Sequence, residues 1–151
     1  PIVSVQSDSH IFDILQFLGQ YKLSICPVTS SNMQYLGSIV GIDLLQKLSP
    51  FMNIDNPGGT IILEIKPIDY TMTQIASIVE SNDAHILATF IHADPDKNLL
   101  YVFLKLDKMD LAPIVQTFNR YDYIIYASYQ EEEFYEELQH NYDFLMRFLN
   151  I

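Results

Sequence analysis

The stretch MQYLGSIVGIDLLQKL, residues 33–48, decides how the first part of the chain folds. An apolar run of β type passes through Gly37 and continues as SIV, residues 38–40. Gly41 and Asp43 then open an amphipathic segment whose apolar side chains recur at helical spacing. The stretch therefore predicts a strand that leads directly into a helix, with Asp43 close to the junction.

The residues on either side of this stretch alternate between β-type and helical patterns. Ser7, Asp8 and Ser9 are candidate N-caps because short polar side chains accept hydrogen bonds from the first helical amides. The predicted segments are the strand IVSV (2–5), a helix over 7–22, a hairpin of LSICPVTS (23–30) and QYLGSIV (34–40), and a helix that Pro50 stops or kinks. The resulting order over residues 1–52 is β-α-β-β-α.

The segment NIDNPGGT, residues 53–60, has the strongest turn chemistry of the chain and predicts a linker and a domain boundary. The segments after it are the strand TIILEIKP (60–67), a helix over 69–83, the strands HILATFIH (85–92) and LLYVFLKLD (99–107), a helix with Asp110 as N-cap and Pro113 early, and the strand YIIYASYQ (123–130). This β-α-β-β-α-β order is typical of a ferredoxin-like domain, an antiparallel sheet with two helices on one face. The predicted fold class is α+β, with domains 1–54 and 55–130 and a C-terminal helix over 131–151.

The last segment, EEEFYEELQHNYDFLMRFLNI, predicts an amphipathic helix with glutamates near its positive N-terminal end. Phe134, Leu138, Leu145 and Phe148 form a broad apolar stripe at helical spacing. A stripe of this width requires burial. Two partners remain open, the chain's own sheet and a second subunit.

Charge and composition argue against several classes of function. The net charge is -11, and the 8 Lys and Arg residues are scattered, so we expect no nucleic-acid partner. We expect no membrane partner either, because the apolar runs are broken by charges and the N-terminus lacks the pattern of a signal peptide. Cys26 is the single cysteine, which fits a cytoplasmic location. The histidines show no metal-ligand spacing, and no nucleophile and base can be paired, so we predict neither a metal site nor an enzyme.

The layout of residues 1–52 resembles a CBS motif. The matching pieces are the β-type run IVSVQSDS, a helix ending near FLGQYKLS, the ICPV strand and YLGSIVGIDLL. In that family the last piece reads Gly, two aliphatic residues, Thr or Ser, two variable residues and Asp. Gly37 and Asp43 match this pattern, whereas Val40 stands where the family has the hydroxyl residue.

CBS motifs generally work in pairs, and the clefts between them bind adenosine-containing ligands such as AMP, ATP or S-adenosylmethionine. The resemblance implies that Asp43 holds the ribose hydroxyls and that apolar side chains hold the base, with no covalently bound cofactor. Val40 cannot donate to phosphate, which favours adenosine-like over polyphosphate ligands. A second interpretation remains open, in which Asp43 only caps the helix of residues 44–48. The residues predicted to line one half of the cleft are Ile25, Pro27, Val28, Ile39, Val40 and Asp43.

The second domain resembles an ACT-like domain through its element order and its PGGTIILEI start. CBS motif, ACT-like domain and acidic helix together are similar to the acetoin-utilisation B type of CBS-plus-ACT protein, in its Bacteroidetes form. This resemblance implies a non-catalytic regulatory protein, homodimeric through its CBS or ACT-like surfaces. A single CBS motif implies a fragment that starts at the second motif, or two chains that each supply half a cleft. The alternatives are an interaction scaffold with a decayed ligand site and a component of acetoin metabolism.

Overall fold

The computed structural model describes residues 4–130, and the chain divides into two compact units, Pro1–Phe51 (unit 1) and Met52–Ile151 (unit 2). The described residues form two sheets and four α-helices, which confirms the α+β class. The division follows Phe51, whereas the sequence placed a boundary after residue 54. The helix predicted over 131–151 lies outside the described residues.

Unit 1 is a three-stranded sheet with two helices. Its first strand is parallel to the second, and the second and third form the predicted antiparallel hairpin. The elements are β1 (Val5–Gln6), α1 (Ile11–Tyr21), β2 (Ile25–Thr29), β3 (Tyr35–Val40) and α2 (Gly41–Phe51). Pro50 lies in the last turn of α2, and the helix ends one residue later, as expected of a residue that cannot continue the hydrogen-bond ladder.

The start of α1 differs from the sequence prediction. Ser7, Asp8 and Ser9 precede the helix, but His10 is its N-cap. The Nδ1 atom of His10 accepts a hydrogen bond from the amide of Phe12 at 3.2 Å. The carboxylate of Asp13 accepts one from the amide of His10 at 3.0 Å, which completes a capping box. The prediction was wrong because a histidine can fill a role that Ser, Thr, Asp and Asn fill more often.

The core of unit 1 lies between the sheet and the two helices. Cys26 is fully buried there, and this burial raises the pKa of its thiol, so the group stays protonated as a small apolar side chain. Each helix contributes two buried leucine or isoleucine side chains at a spacing of four residues, which is one face of a helix. The buried residues are Val5, Ile14, Leu18, Cys26, Leu44 and Leu48.

Unit 2 is a four-stranded antiparallel sheet with a crossed order of strands. Its elements are β4 (Thr60–Ile65), a short 3-10 helix (Pro67–Asp69), α3 (Met72–Glu80), β5 (Ile86–Asp94), β6 (Leu99–Leu106), α4 (Ala112–Arg120) and β7 (Ile124–Tyr129). The spatial order is β5-β6-β4-β7, so β6 lies between β4 and β5, and β4 lies between β6 and β7. Every neighbouring pair is antiparallel.

The two helices of unit 2 share one core with one face of its sheet. Residues 61, 63 and 65 of β4 and residues 102, 104 and 106 of β6 are buried, as expected of strands with one packed face, and Ile62 of β4 is buried as well. From the helices, Ile75, Ile78, Ile114 and Phe118 join the same cluster. Pro113 lies in the first turn of α4, as predicted. The carboxylate of Asp110 accepts a hydrogen bond from the amide of Ala112, although the N-cap is Leu111.

The two glycines of NPGGT are packed against other parts of unit 2. Gly58 and Gly59 are buried, and Gly58 has a φ of +137°, a conformation that favours glycine. A Cβ at Gly58 would collide with the carbonyl oxygen of Leu106, and one at Gly59 would collide with the side chain of Leu111. These glycines are therefore part of unit 2, within the segment that the sequence predicts as a linker. They allow the start of β4 to approach the end of β6.

Within the described part of the chain, none of the helices combines the length and the apolar character needed to cross a lipid bilayer.

Candidate functional site

The junction between β3 and α2 has the strand-to-helix form that the sequence predicts. β3 ends at Val40, and α2 begins at the next residue, Gly41. The amide of Gly41 donates a hydrogen bond of 2.8 Å to the carbonyl of Ser24, just before β2. A Cβ at Gly41 would lie 3.4 Å from that same carbonyl oxygen, an ordinary van der Waals distance, so this approach does not itself require glycine. The hydrogen bond fixes the junction beside the first residue of β2.

Asp43 lies in the first turn of α2 and is exposed. Because the helix begins at Gly41, Asp43 is the third helical residue and not the N-cap of a helix over 44–48. The interpretation of Asp43 as the cap of a helix over residues 44–48 is therefore wrong. A carboxylate at this position lies at the positive end of the helix, and its two oxygens can accept a pair of hydrogen bonds from a vicinal diol.

The six residues predicted to line a cleft divide between the two faces of the hairpin. Ile25 pairs with Val40, and both are exposed, at 51% and 36%. Pro27 lies on the same face as Ile25, since successive side chains of a strand alternate. Val28 and Ile39 pack instead against the buried cluster of unit 1. The structure thus brings Ile25, Pro27 and Val40 together on one face, next to the helix that carries Asp43, and places Val28 and Ile39 on the other.

Two hydroxyl groups on this hairpin were missed by sequence reasoning. Ser38 pairs with Pro27 across the hairpin, and its Oγ lies 2.9 Å from the phenolic oxygen of Tyr35. Both Ser38 and Tyr35 are exposed. Ser38 is two residues before Val40, so the alternation of a strand places both on one face. This two-residue spacing was the sequence signal that could have identified Ser38. Ser38 places a hydroxyl on the same face as Val40, which has none.

A groove of about 470 Å³ in unit 2 is a second candidate site. It lies where β4 passes into the 3-10 helix and where α4 passes into β7. Its charged side chains are the carboxylates of Glu64, Asp69 and Asp122 and the amine of Lys66. This excess of negative charge favours a ligand with a positive group over an anion.

The backbone of the turn after β4 is not arranged to bind a carboxylate. The amide of Asp69 donates to the carbonyl of Lys66 at 2.9 Å, and the amide of Tyr70 donates to the carbonyl of Pro67 at 3.4 Å. These amides are therefore used within the 3-10 turn. The turn contains no glycine that would let a ligand approach the backbone closely. An amino-acid ligand would therefore not find these two amides free at this turn.

One wall of the groove is held by a tyrosine whose hydroxyl is already bonded. Tyr123 donates from its hydroxyl to the side-chain carbonyl of Gln74 at 3.0 Å. Its ring meets that of Phe118 edge to face, with centroids 5.4 Å apart. Burial raises the pKa of Tyr123, so the phenol keeps its proton at neutral pH. These contacts give Tyr123 a structural role at the edge of the core.

Across residues 4–130, His, Cys, Asp and Glu side chains do not gather in a group of three that could hold a metal ion. The stretch IHADPD, residues 91–96, places His92 close in sequence to Asp94 and Asp96. In the structure Asp94 ends β5, and its carboxylate accepts a hydrogen bond from the amide of Lys97. Asp94 also lies 3.4 Å from the amine of Lys97. These contacts hold the turn between β5 and β6 and lower the pKa of Asp94.

No protein-family model matches this chain, and none of the curated proteins is similar enough to match it. The function must therefore be argued from the residues and contacts of the chain itself.

Proposed function

We propose that unit 1 is a CBS-type motif that forms one half of a cleft for an adenosine-containing ligand. The single observation that carries this proposal is the exposed carboxylate of Asp43, three residues after the exposed Val40 on the same strand-to-helix junction. The face formed by Ile25, Pro27 and Val40 provides an apolar surface for a purine ring. Asp43 binds the two ribose hydroxyls, and the hydroxyl of Ser38 adds a polar contact on the same face.

The other half of the cleft comes from a second motif, which a second copy of the chain supplies in a homodimer. The exposed apolar residues around the junction support this assembly, since apolar surface of this kind mediates association. They are Leu36, Ile42 and Leu45, each more than half exposed. The protein is non-catalytic and cytoplasmic in this proposal.

Unit 2 acts in this proposal as an ACT-like module of the ferredoxin-like type. Its strand order β5-β6-β4-β7 and its β-α-β-β-α-β sequence of elements support that assignment. The module transmits the state of the cleft by population shift. A ligand that binds one arrangement of the protein more tightly favours that arrangement by the difference in binding free energy.

Asp43→Ala tests the role assigned to the carboxylate. Loss of hydrogen bonds to a charged group should weaken the binding of AMP by about 1.5–3 kcal/mol, which is roughly 10- to 150-fold in dissociation constant. Isothermal titration calorimetry measures this change, and Gln46→Ala, an exposed position of the same helix, is the matched control. Equal affinity in the wild type and in Asp43→Ala would remove Asp43 from the site.

Val40→Thr tests the reason for expecting adenosine-like ligands. A hydroxyl at this position, next to the N-terminus of α2, should strengthen the binding of ATP through one new hydrogen bond to phosphate, on the order of 1 kcal/mol. The affinity for adenosine, which has no phosphate, should stay the same. Titration of both ligands against both proteins makes the comparison. An equal gain for adenosine would mean that position 40 does not face the phosphates.

An interaction scaffold is the second candidate, and the exposed apolar residues Leu36, Ile42 and Leu45 of unit 1 favour it. In this case the exposed apolar residues of unit 1 bind another protein and no nucleotide. Ile42→Asp, at a 59% exposed position, should then break the assembly that the wild type forms. Light scattering measures the mass, and calorimetry with AMP separates the candidates, because only the sensor binds nucleotide.

A further inference from the structure

A polar pocket of about 400 Å³ lies in unit 2 between the C-terminal ends of α3 and α4, and we call it the helix-end pocket. It is distinct from the groove described above, although Tyr121 borders both. The helix-end pocket is lined by Ser81, Asn82, Thr117, Arg120 and Tyr121. None of these five residues carries a carboxylate, whereas three residues of the groove do. The two sites therefore favour ligands of opposite charge.

Two basic side chains meet at this pocket. Arg120 lines it, and its Nη2 atom donates a hydrogen bond to Oγ1 of Thr117 at 2.9 Å. The amine of Lys108 donates to the backbone carbonyl of Asn82, a lining residue, at 2.7 Å. Neither cation forms an ion pair with a carboxylate of residues 4–130. In a chain with a net charge of -11, two cations held by neutral groups make a local positive site.

A network of hydrogen bonds holds the guanidinium of Arg120 in place. Thr117 is only 5% exposed, and its hydroxyl donates to the carbonyl of Pro113 at 2.9 Å. The oxygen of that hydroxyl accepts from Arg120 and, at 3.2 Å, from Nδ2 of Asn82. Nδ2 of Asn82 also donates to the carbonyl of Ile78 at 2.8 Å. The guanidinium is thus anchored on a buried hydroxyl that both helix ends share.

Most donors of this guanidinium are left for a ligand. A guanidinium carries five N–H groups, and one of them is used within residues 4–130. The carbonyls in the last turn of α4 have other donors, since the amide of Tyr121 donates to those of Thr117 and Phe118 at 3.2 and 3.1 Å. Arg120 is exposed as well, so its remaining N–H groups are open to solutes.

We propose that the helix-end pocket binds a phosphate group, either the free ion or a small phosphate ester. The planar fork of Arg120 matches two phosphate oxygens, and the nearby amine of Lys108 adds a second positive charge. A phosphate monoester carries about -1.5 to -2 charges at pH 7, so it gains more from two cations than a monocarboxylate does. This proposal does not rest on the nucleotide site proposed in unit 1, because the residues of the two sites lie in different units.

The test is an amide NMR titration of the full chain with inorganic phosphate at pH 7, with the ionic strength held constant by sodium chloride. We expect shifts that saturate at Asn82, Arg120 and Tyr121. Arg120→Gln should raise the dissociation constant roughly 10- to 150-fold, because hydrogen bonds to a charged group are lost. Lys47→Gln removes the same charge at an exposed position of α2 and should leave the dissociation constant unchanged.

Other anions define the class of ligand. Acetate should bind more weakly than phosphate, since it has one charge and two oxygens. Glycerol 3-phosphate separates the two sources of phosphate: tighter binding than inorganic phosphate identifies an ester, and equal or weaker binding identifies the free ion. Shifts that sodium chloride reproduces, or acetate that binds as tightly as phosphate, would overturn the proposal. Phosphate affinity that is equal in the wild type and in Arg120→Gln would overturn it too.

Thermal melting separates ligand binding from a purely structural role of Arg120 at the end of α4. Arg120→Gln also removes a hydrogen bond to Thr117, so the variant should melt below the wild type in chloride alone. Added phosphate should widen this difference, because it stabilises only the protein that binds it. Arg120→Lys keeps the charge without the fork and should restore part of the phosphate effect. A difference that stays the same with and without phosphate would show that Arg120 only stabilises the helix end.

Discussion

The two units of the chain differ in how completely each buries its own apolar residues. Among residues 52–130, the core cluster of unit 2 has 13 buried residues, and most of them, including Leu104 and Phe118, are 0% exposed. Among residues 4–51, the cluster of unit 1 has 6 buried residues, of which only Cys26 is 0% exposed. Both units leave some large apolar side chains more than half exposed, among them Ile25 and Leu36 in unit 1 and Ile68 and Ile124 in unit 2, so the difference lies in the buried clusters.

The difference in size and depth between the two buried clusters bears on which unit is stable by itself. A core of the size found in unit 2 can stabilise a fold by itself, whereas a small, shallow core needs further burial from a partner or ligand. The surface that unit 1 leaves open is the surface next to Asp43. The proposed function accordingly assigns ligand binding to unit 1, and the buried cluster of unit 2 makes it the more stable unit.

Matched leucine-to-alanine substitutions in the two cores should give the largest effect. Equal losses in the free energy of unfolding would show that the two cores do not differ. Leu104→Ala empties a site that is 0% exposed on a central strand, so it should lower the free energy of unfolding of unit 2 by about 4 kcal/mol. Leu44→Ala, at 6% exposure in the smaller cluster, should lower that of unit 1 by about 2 kcal/mol because its surroundings can relax. Urea unfolding followed by circular dichroism measures both. A cost for Leu44→Ala as large as that for Leu104→Ala would contradict the difference in core depth.

Glycine-to-alanine substitutions should change the stability of the two units in opposite directions. Gly58→Ala would combine a positive φ with a collision against the backbone of Leu106, so it should destabilise unit 2 by about 2–3 kcal/mol. Gly19→Ala lies within α1 with no atom within 4 Å of the added Cβ, and it should stabilise unit 1 by about 0.5–1 kcal/mol. Thermal melting of both variants checks the signs. A neutral Gly58→Ala would restore the interpretation of this segment as a plain linker.

Lowering the pH should produce the smallest of these effects, a small loss of stability in unit 2. The amide of His85 donates to the carboxylate of Asp107 at 2.7 Å, and its ring nitrogen lies 2.7 Å from the other oxygen. These contacts lower the folded-state pKa of Asp107 below 3.8. The group therefore stabilises the fold above pH 3.8, and this contribution is lost as the pH falls below that value. The pair is partly exposed, so the effect is small.

Asp107→Asn provides the measurement for this pair. Urea midpoints of the wild type and the variant should differ at neutral pH and converge as the pH falls towards about 3. A difference that stays constant with pH would show that the ionisation of Asp107 does not stabilise unit 2.

Much of the fold could be predicted because its segments are strongly periodic. The alternation in LLYVFLKLD identified β6, and the run from Gly37 to Asp43 located the passage from β3 to α2. The order of the elements in unit 2 followed from the same patterns. The period at which apolar residues recur distinguishes a strand from a helix and indicates which of its faces is apolar.

Features that depend on three-dimensional approach could not be predicted in this way. The role of Gly58 is set by the backbone of Leu106, which lies two strands later in the chain. The capping role of His10 depends on the orientation of its ring. In the candidate site, the sequence correctly predicted the passage from strand to helix and the position of Asp43 beside it. It could not divide Val28 and Ile39 from Ile25 and Val40, because that division depends on the pairing of the strands.

An amide NMR titration of the ¹⁵N-labelled chain with AMP tests most directly whether unit 1 holds the ligand site. We expect the shifts to concentrate at Gly41, Ile42 and Asp43 and at Ile25 beside them, and we expect Asp43→Ala to need roughly 10- to 150-fold more AMP to produce them. We also expect unchanged signals for Lys66, Asp69 and Asp122 around the groove of unit 2. No shifts at the junction with the wild type, or shifts confined to the groove, would contradict the placement of the ligand site in unit 1.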